Sequence, residues 1–464
     1  MEAEAQRPGM DFSRAVPAAT GALALASIVS LTICAWVVLK HKPVVLSMAP
    51  AAVALASAGA LRLRPAARLM AAALAIGAGA GMYASEAIAM GLATAEPSGN
   101  DLVRDAAQAD GVPYDSRPKI DIIMELRRRN VAAYPPYYPH RTFEAPLEAD
   151  GAPAIPVAAV PNSVTVCCNE GGQYLIYRND EHGFPNPPGL WGQAPMDVAL
   201  VGASVAVGEA VPEADSIAYQ LRQRYPKTIS LGAGGNGPLL ELASMREYLP
   251  VLRPRRVLWL YSESHTAEYL QKEHKVPLLR YLDPAYEQKL LAREASLSSA
   301  VRRHLDDAID AELHPQQPTL RSEALDLLSL KRVRLQVSDL RLRGVSKERG
   351  RLPGDLYEQV LRRGEEIVSA WGGRITLVYV PDRGRYIGAP GYTPEVRQLY
   401  DENRATLLAV AGKLGIPVID VSRRFEDLPP ARRAEYAKYF YQFPSHFKPA
   451  GYRIMDRAIL EELR

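Results

Sequence analysis

Cysteine is scarce in this chain of 464 residues, with three in all. Cys34 falls in an apolar run, and Cys167 and Cys168 are adjacent. That excludes a disulfide framework, because a vicinal pair makes a poor crosslink. No Cys/His spacing matches a zinc site, so neither a metal nor a cofactor is expected. An excess of charge of one sign is also lacking. A formal net charge of +3 is too small for bulk electrostatic capture of nucleic acid, and no such partner is expected. Lysine is sparse while arginine, alanine and proline are abundant, a bias that reports genome base composition more than function. There is no internal repeat and no heptad run.

What the chain does have is a strongly apolar beginning. Val16 to Leu39 is one apolar run, ended by Lys40-His-Lys42. Val44 to Leu61 is a second, Arg62-Leu-Arg-Pro-Ala-Ala-Arg68 interrupts, and Leu69 to Leu92 is a third. About 20 apolar residues cross the hydrocarbon core of a bilayer, so three transmembrane helices fit. Two spans, or a signal peptide followed by one anchor, are the alternatives. The stronger basic cluster, Arg62, Arg64 and Arg68, belongs on the cytoplasmic side. Everything beyond Leu92 then lies outside, which places the protein in a bacterial inner membrane with its large C-terminal domain in the periplasm. The Ala and Gly residues of the runs permit close helix packing, either among themselves or against a membrane-protein partner.

The organisation expected is 1–95 as the transmembrane region, 96–173 as an extended proline-rich link wrapping the domain, and 174–464 as an α/β domain. In the link, Ile120 to Arg129 is helix-like, while Tyr134-Pro-Pro-Tyr-Tyr-Pro-His140 and Gly151 to Pro161 are extended. Tyr174 to Tyr177 reads as a strand and Asp180 to Pro188 as loop, where His182 either reaches a site or anchors the loop. Then apolar strands alternate with helices. Val198 to Val201, Thr228 to Leu231, Arg256 to Tyr261, Ile375 to Val380 and Pro417 to Val421 are strands. The intervening helices are expected over Ser216 to Arg224, Pro238 to Tyr248, Asp355 to Ala370, Thr393 to Leu414 and Pro449 to Leu463. That alternation indicates a parallel sheet covered on both faces. A helical insertion spans about 266–353, with helices expected at Pro284 to Glu294, Ser298 to Leu313 and Leu320 to Leu328 and a charged tip over Val333 to Arg351. It is either a lid or a solvated excursion.

The chemistry-bearing stretch is Asp197-Val-Ala-Leu-Val-Gly-Ala-Ser-Val-Ala-Val-Gly208. A serine just past a strand and before a helix is presented at the rim of a sheet, where α/β proteins keep their sites. Ser204 with His446 forms the minimal pair of nucleophile and base. The Gly232-to-Gly237 run offers backbone N–H groups for an oxyanion, with Asn236 as a nearby amide. The plainer account is that glycines at strand ends serve backbone geometry alone.

These stretches together resemble the SGNH hydrolase superfamily, the GDSL-type esterases and lipases, from about Tyr174 to the end. The narrower likeness is to membrane-anchored SGNH-hydrolase-like proteins of bacterial envelopes. The resemblance implies a flavodoxin-like three-layer α/β domain with a parallel sheet. Its first block, Gly-Asp-Ser, stands here as Gly202-Ala203-Ser204, with Gly208 beyond. The oxyanion glycine of the second block matches Gly235. In the third block, Ser264-His265-Thr266 replaces the usual Gly-x-Asn-Asp, so His265 takes the place of the oxyanion asparagine. In the last block Phe443-Pro444-Ser445 precedes His446, and the aspartate that orients the histidine has no counterpart.

The resemblance therefore carries Ser204, His446, Gly235 and His265 as site residues of a damaged set. Losing one oxyanion donor costs about 3 kcal/mol of transition-state stabilisation. Losing the group that fixes the histidine tautomer costs about 10⁴ in rate in serine proteases. Two functions follow. One is a non-catalytic or weakly active domain serving as a binding or structural subunit of a membrane complex. The other is a membrane-anchored serine esterase or O-acyltransferase acting on acyl esters of envelope polysaccharide through Ser204 and His446. Glu263 is a candidate partner for either histidine, and Asp420 either approaches the rim or caps the following turn.

Overall fold

Among the described residues five short strands precede the main sheet: β1 (Ala133–Tyr134), β2 (Leu147–Ala149), β3 (Ala152–Ala154), β4 (Val164–Val166) and β5 (Ile176–Arg178). β5 pairs antiparallel with β4, which pairs parallel with β1; β2 and β3 form a separate hairpin. Residues on either side of position 174 thus share one sheet. The computed structural model describes residues 16–24, 58–74, 81, 103–105, 107, 111–275, 277–315, 350–387, 392–426 and 446–464.

The main sheet contains β6 (Val198–Val201), β7 (Thr228–Ser230), β8 (Arg256–Ser262), β9 (Arg374–Val380) and β10 (Val418–Asp420). All neighbours are parallel, in the order β10-β9-β8-β6-β7. Numbered within the sheet this is 2-1-3-4-5, the flavodoxin-like doubly wound order expected. The strands are apolar throughout because both faces are covered. Ala199, Val201, Val257, Trp259 and Tyr261 enter one core with the helices Pro238–Leu252, Gly354–Ser369 and Pro394–Leu414. Val198, Leu200, Leu258 and Leu260 enter the other with Ile217–Arg222 and Pro449–Glu462. Side chains alternate across a strand, so consecutive apolar residues feed the two cores in turn. Packing on the first face is close: a methyl on Gly364 would sit 2.6 Å from the Trp259 ring.

Helix starts follow the local signals. Pro238, Pro394 and Pro449 stand in the first turn of their helices, where the missing N–H costs nothing. Ser216 caps its helix by accepting from Tyr219 N at 3.2 Å.

Two expectations for the insertion change. Residues 284–293 are not helical, contrary to the expected Pro284 to Glu294 helix. The Glu247 carboxylate takes the backbone N–H groups of Gln288 at 2.5 Å and Leu290 at 2.7 Å, so a side chain satisfies donors that a helix would pair internally. The long helix Glu294–Leu313 does not stand free in solvent either. Its Val301, Leu305 and Ile309 pack with Ile120 and Ile123 of the helix Lys119–Arg128, and Arg127 Nη2 meets Asp306 Oδ1 at 2.8 Å. The expected Leu320 to Leu328 helix and most of the charged tip lie outside the described residues.

The chain divides into two compact units, and the described residues of the first ninety-six fall in their own. There, residues 16–24 and 65–74 are helical, with Ala19, Leu23 and Ala72 packed together. Residues 61–62 form the turn, Arg62 N donating to Gly59 O at 3.0 Å. Among the described residues no helix is long and apolar enough to cross a membrane. Most of the three expected spans lies outside those residues.

Candidate functional site

β6 is flanked by β7 and β8, so its C-terminal end opens at the switch point of the sheet, where doubly wound proteins bind ligands. Ser204 begins the four-residue helix that follows. Gly208 ends that helix at φ 85°, a conformation an L side chain resists. The reversal aims the N–H groups of Gly208 and Glu209 back at Ser204 O, each at 3.0 Å. Ser204 is half-buried. Among the described residues its hydroxyl has no hydrogen-bond partner, and His446 does not reach it.

The second rim segment is the glycine loop after β7. Leu231 N donates to Leu200 O at 2.8 Å and Ala233 N to Gly202 O at 3.2 Å, tying the loop to the serine turn. Buried Glu273 secures its far end, accepting from Gly237 N at 2.7 Å and Leu239 N at 2.9 Å. Burial nevertheless raises the Glu273 carboxyl to about 8, against the lowering effect of those N–H groups. Gly235 sits at φ 74°, and a methyl there would meet the His140 ring at 2.1 Å. His140 covers the loop, its Nδ1 lying 3.3 Å from Gly234 O. The proline-rich segment therefore contributes to the rim.

His446 and His265 complete the arrangement. His446 lies just before the helix Pro449–Glu462, and its Nδ1 is 2.5 Å from Glu170 Oε1. This corrects the expectation that no acid orients the histidine: Glu170 does so from the turn between β4 and β5. Burial disfavours the imidazolium, but Glu170 and then Glu209 outweigh it and lift His446 to about 9. Glu209 Oε2 stands 3.8 Å from the other ring nitrogen, Nε2. His265, at the cap of the helix Thr266–Glu273, contacts Ser264 Oγ through Nδ1 at 2.7 Å and stacks on Tyr269. Burial, and then the positive charge of His446, lower its pKa. His265 is thus the neutral ring of the pair. When the Ser264 hydroxyl donates to Nδ1, the ring proton sits on Nε2, where it can serve an oxyanion.

Three other candidates are elsewhere. Glu263 touches neither histidine. Its carboxylate is buried against Arg385 Nε at 2.7 Å, Asp382 N at 2.7 Å and the Tyr379 hydroxyl. Glu263, two residues beyond Tyr261, shares its face of the sheet and meets Tyr379 of β9 and the turn after it. Asp420 caps the next turn, accepting from Ser422 N at 3.1 Å, and pairs with Arg404. His182 anchors its loop through Glu294 at 2.6 Å.

The chain is similar to solved GDSL-type hydrolases. A member of the lipolytic G-D-S-L family from Veillonella parvula matches at 11% identity with a TM-score of 0.29, over 57% of this chain and 96% of that one. A lipase/acylhydrolase from Enterococcus faecalis matches at 11% and 0.29, over 57% and 94%. The acetyl xylan esterase AlAXEase matches at 10% and 0.31, over 57% and 99%. No protein-family model matches the chain, and no curated protein does. At these TM-scores the likeness carries no weight for chemistry, which has to come from the side chains.

Sequence reasoning missed Glu170, Glu209 and His140. Glu170 follows the Cys167-Cys168-Asn169 stretch, which reads only as a cysteine pair too close for a useful crosslink. The Gly171-Gly172 turn beside it was the available signal. Glu209 adjoins the serine block directly.

Proposed function

We propose that the chain is a serine-dependent acyl-ester hydrolase or acyltransferase, with Ser204 as nucleophile, His446 as base and Glu170 as the carboxylate that orients it. The observation that carries this reading is the 2.5 Å contact between Glu170 and His446 Nδ1. A carboxylate there selects the tautomer whose Nε2 is free to take a proton, and stabilises the imidazolium that results. The lack of an orienting acid was one of the grounds for a non-catalytic domain, and the Glu170 contact supports the catalytic reading instead.

In this reading Ser204 Oγ adds to the ester carbonyl carbon as its proton passes to His446 Nε2. The oxyanion is held by backbone N–H groups of the Gly235 loop and by His265. Collapse expels the alcohol, which takes the proton back from His446. Water or a second alcohol then accepts the acyl group from Ser204, with His446 again the base. Catalytic hydrogen bonds are commonly long in unliganded sites and tighten around substrate, so the gap between Ser204 and His446 is compatible with this role. An acylated envelope glycan on the outer side of a bacterial inner membrane is the substrate and setting we propose, with the apolar N-terminal runs as anchor.

The alternative is a binding subunit without catalysis. Ala203 in place of an acid and the unpaired Ser204 hydroxyl favour it. The deciding measurement is p-nitrophenyl acetate turnover by the purified protein beside Ser204→Ala. Loss of turnover and of an acetylated Ser204 in the variant supports the enzyme. Equal rates sink the serine mechanism, and co-purification of a stoichiometric membrane protein would then support the binding subunit.

A further inference from the structure

Glu209 is a buried carboxylate, 5% exposed, for which the Glu170, His446 and Ser204 arrangement has no use. Its backbone is pinned on both sides. The N–H donates to Ser204 O at 3.0 Å, and the carbonyl accepts from the Tyr452 hydroxyl at 3.1 Å. Its Oε2 lies 3.8 Å from His446 Nε2. Its Oε1 lies so close to the glycine loop that a methyl on Gly234 would be 2.4 Å away. One carboxylate therefore meets the base on one side and the oxyanion loop on the other. On the proposed reading, that is the space a reacting acyl group would enter.

We propose that Glu209 is a positioning residue that stands in this space as an internal plug, holding His446 Nε2 away from Ser204 until the carboxylate is displaced. The inference rests on the reading of Ser204 and His446 as a catalytic pair. The charges around the contact agree with it. His446 faces Glu170 and Cys168 from the turn between β4 and β5, Glu209 from behind the serine helix, and His265 from the end of β8. Glu209 faces His446, Glu170 and Lys119, and the hydroxyls of Tyr138, Tyr177 and Tyr452 feel its charge. Burial raises the Glu209 carboxyl, His446 lowers it and Glu170 raises it again. Glu209, Glu170 and His446 are consequently one buried cluster of interacting charges.

The test is an NMR titration of the His446 ring in the full-length protein, wild type and Glu209→Gln, with the pH profile of Ser204-dependent p-nitrophenyl acetate hydrolysis measured alongside. Removing a carboxylate about 4 Å from the ring should lower the His446 midpoint by about one pH unit or more. The rising limb of turnover should move down with it, giving roughly tenfold faster turnover at neutral pH if the limb moves one unit. An unmoved midpoint in Glu209→Gln overturns the proposal. So does a wild-type ring that titrates like a free histidine, a result that needs no variant to fold. A midpoint that moves while turnover ignores Ser204 supports the Glu209 contact and sinks the hydrolase reading instead.

Discussion

Glu170 Oε1 lies 2.5 Å from His446 Nδ1, although 276 positions separate the two residues in the chain. The glutamate is 7% exposed and comes from the turn between β4 and β5, in the segment that precedes the main sheet. The site is consequently assembled from both ends of the described domain.

Replacing Glu170 with glutamine keeps its shape and removes its charge. The His446 ring then loses its selected tautomer and its counter-charge. We expect turnover to fall by about 10² to 10⁴, approaching the loss seen when a serine protease loses its orienting acid. The fall should appear in kcat with little change in KM, because Glu170 does not touch substrate. A Glu170→Gln rate within twofold of wild type would remove Glu170 from the mechanism.

The raised His446 pKa sets opposite pH trends for activity and stability. A base must be neutral to accept the serine proton, so turnover should rise as pH climbs towards about 9. Stability runs the other way. The folded value lies above that of an unfolded histidine, so the contribution is fully present below about 6.5 and is lost as pH rises through about 9. The measurement is chemical denaturation from pH 6 to 10, wild type against His446→Gln. The stability difference should shrink across that window by on the order of 3 kcal/mol. A difference independent of pH would contradict the ion-paired ring.

Glu263 and Arg385 should matter for folding and not for chemistry. Their side chains are 1% and 7% exposed and meet at the ends of β8 and β9. Deleting Glu263 leaves the buried Arg385 guanidinium with only the half-exposed Asp401 at 2.8 Å, and breaking a buried pair costs about 3–5 kcal/mol. Glu263→Ala should therefore lower the denaturation midpoint strongly. Replacing both with apolar residues of similar volume should recover much of the loss. If Glu263→Ala leaves stability unchanged but abolishes turnover, Glu263 belongs to the catalytic site after all.

Much of the sheet was legible because strand and helix patterns are local. Val198 to Val201 is β6 to the residue, and Arg256 to Tyr261 falls one residue short of β8. Consecutive apolar residues bounded by turn formers have few other ways to be buried. The Pro284 to Glu294 helix was misread because the Glu247 carboxylate, 41 residues before Gln288 and 43 before Leu290, claims their N–H groups. In the same way Ser204 was marked for the rim by the tight turn after a strand, a local property.

The sequence by itself determined the two-faced parallel sheet and the placing of Ser204, since backbone turns and hydrophobic alternation are written within ten residues. Only the tertiary structure decided what surrounds His446 and the glycine loop. It brought Glu170 to one nitrogen of His446, laid Glu209 beside the other, and folded His140 over Gly235. Those contacts join segments far apart in the chain. They depend on how packed elements close over one another, and no short pattern of residue types encodes that.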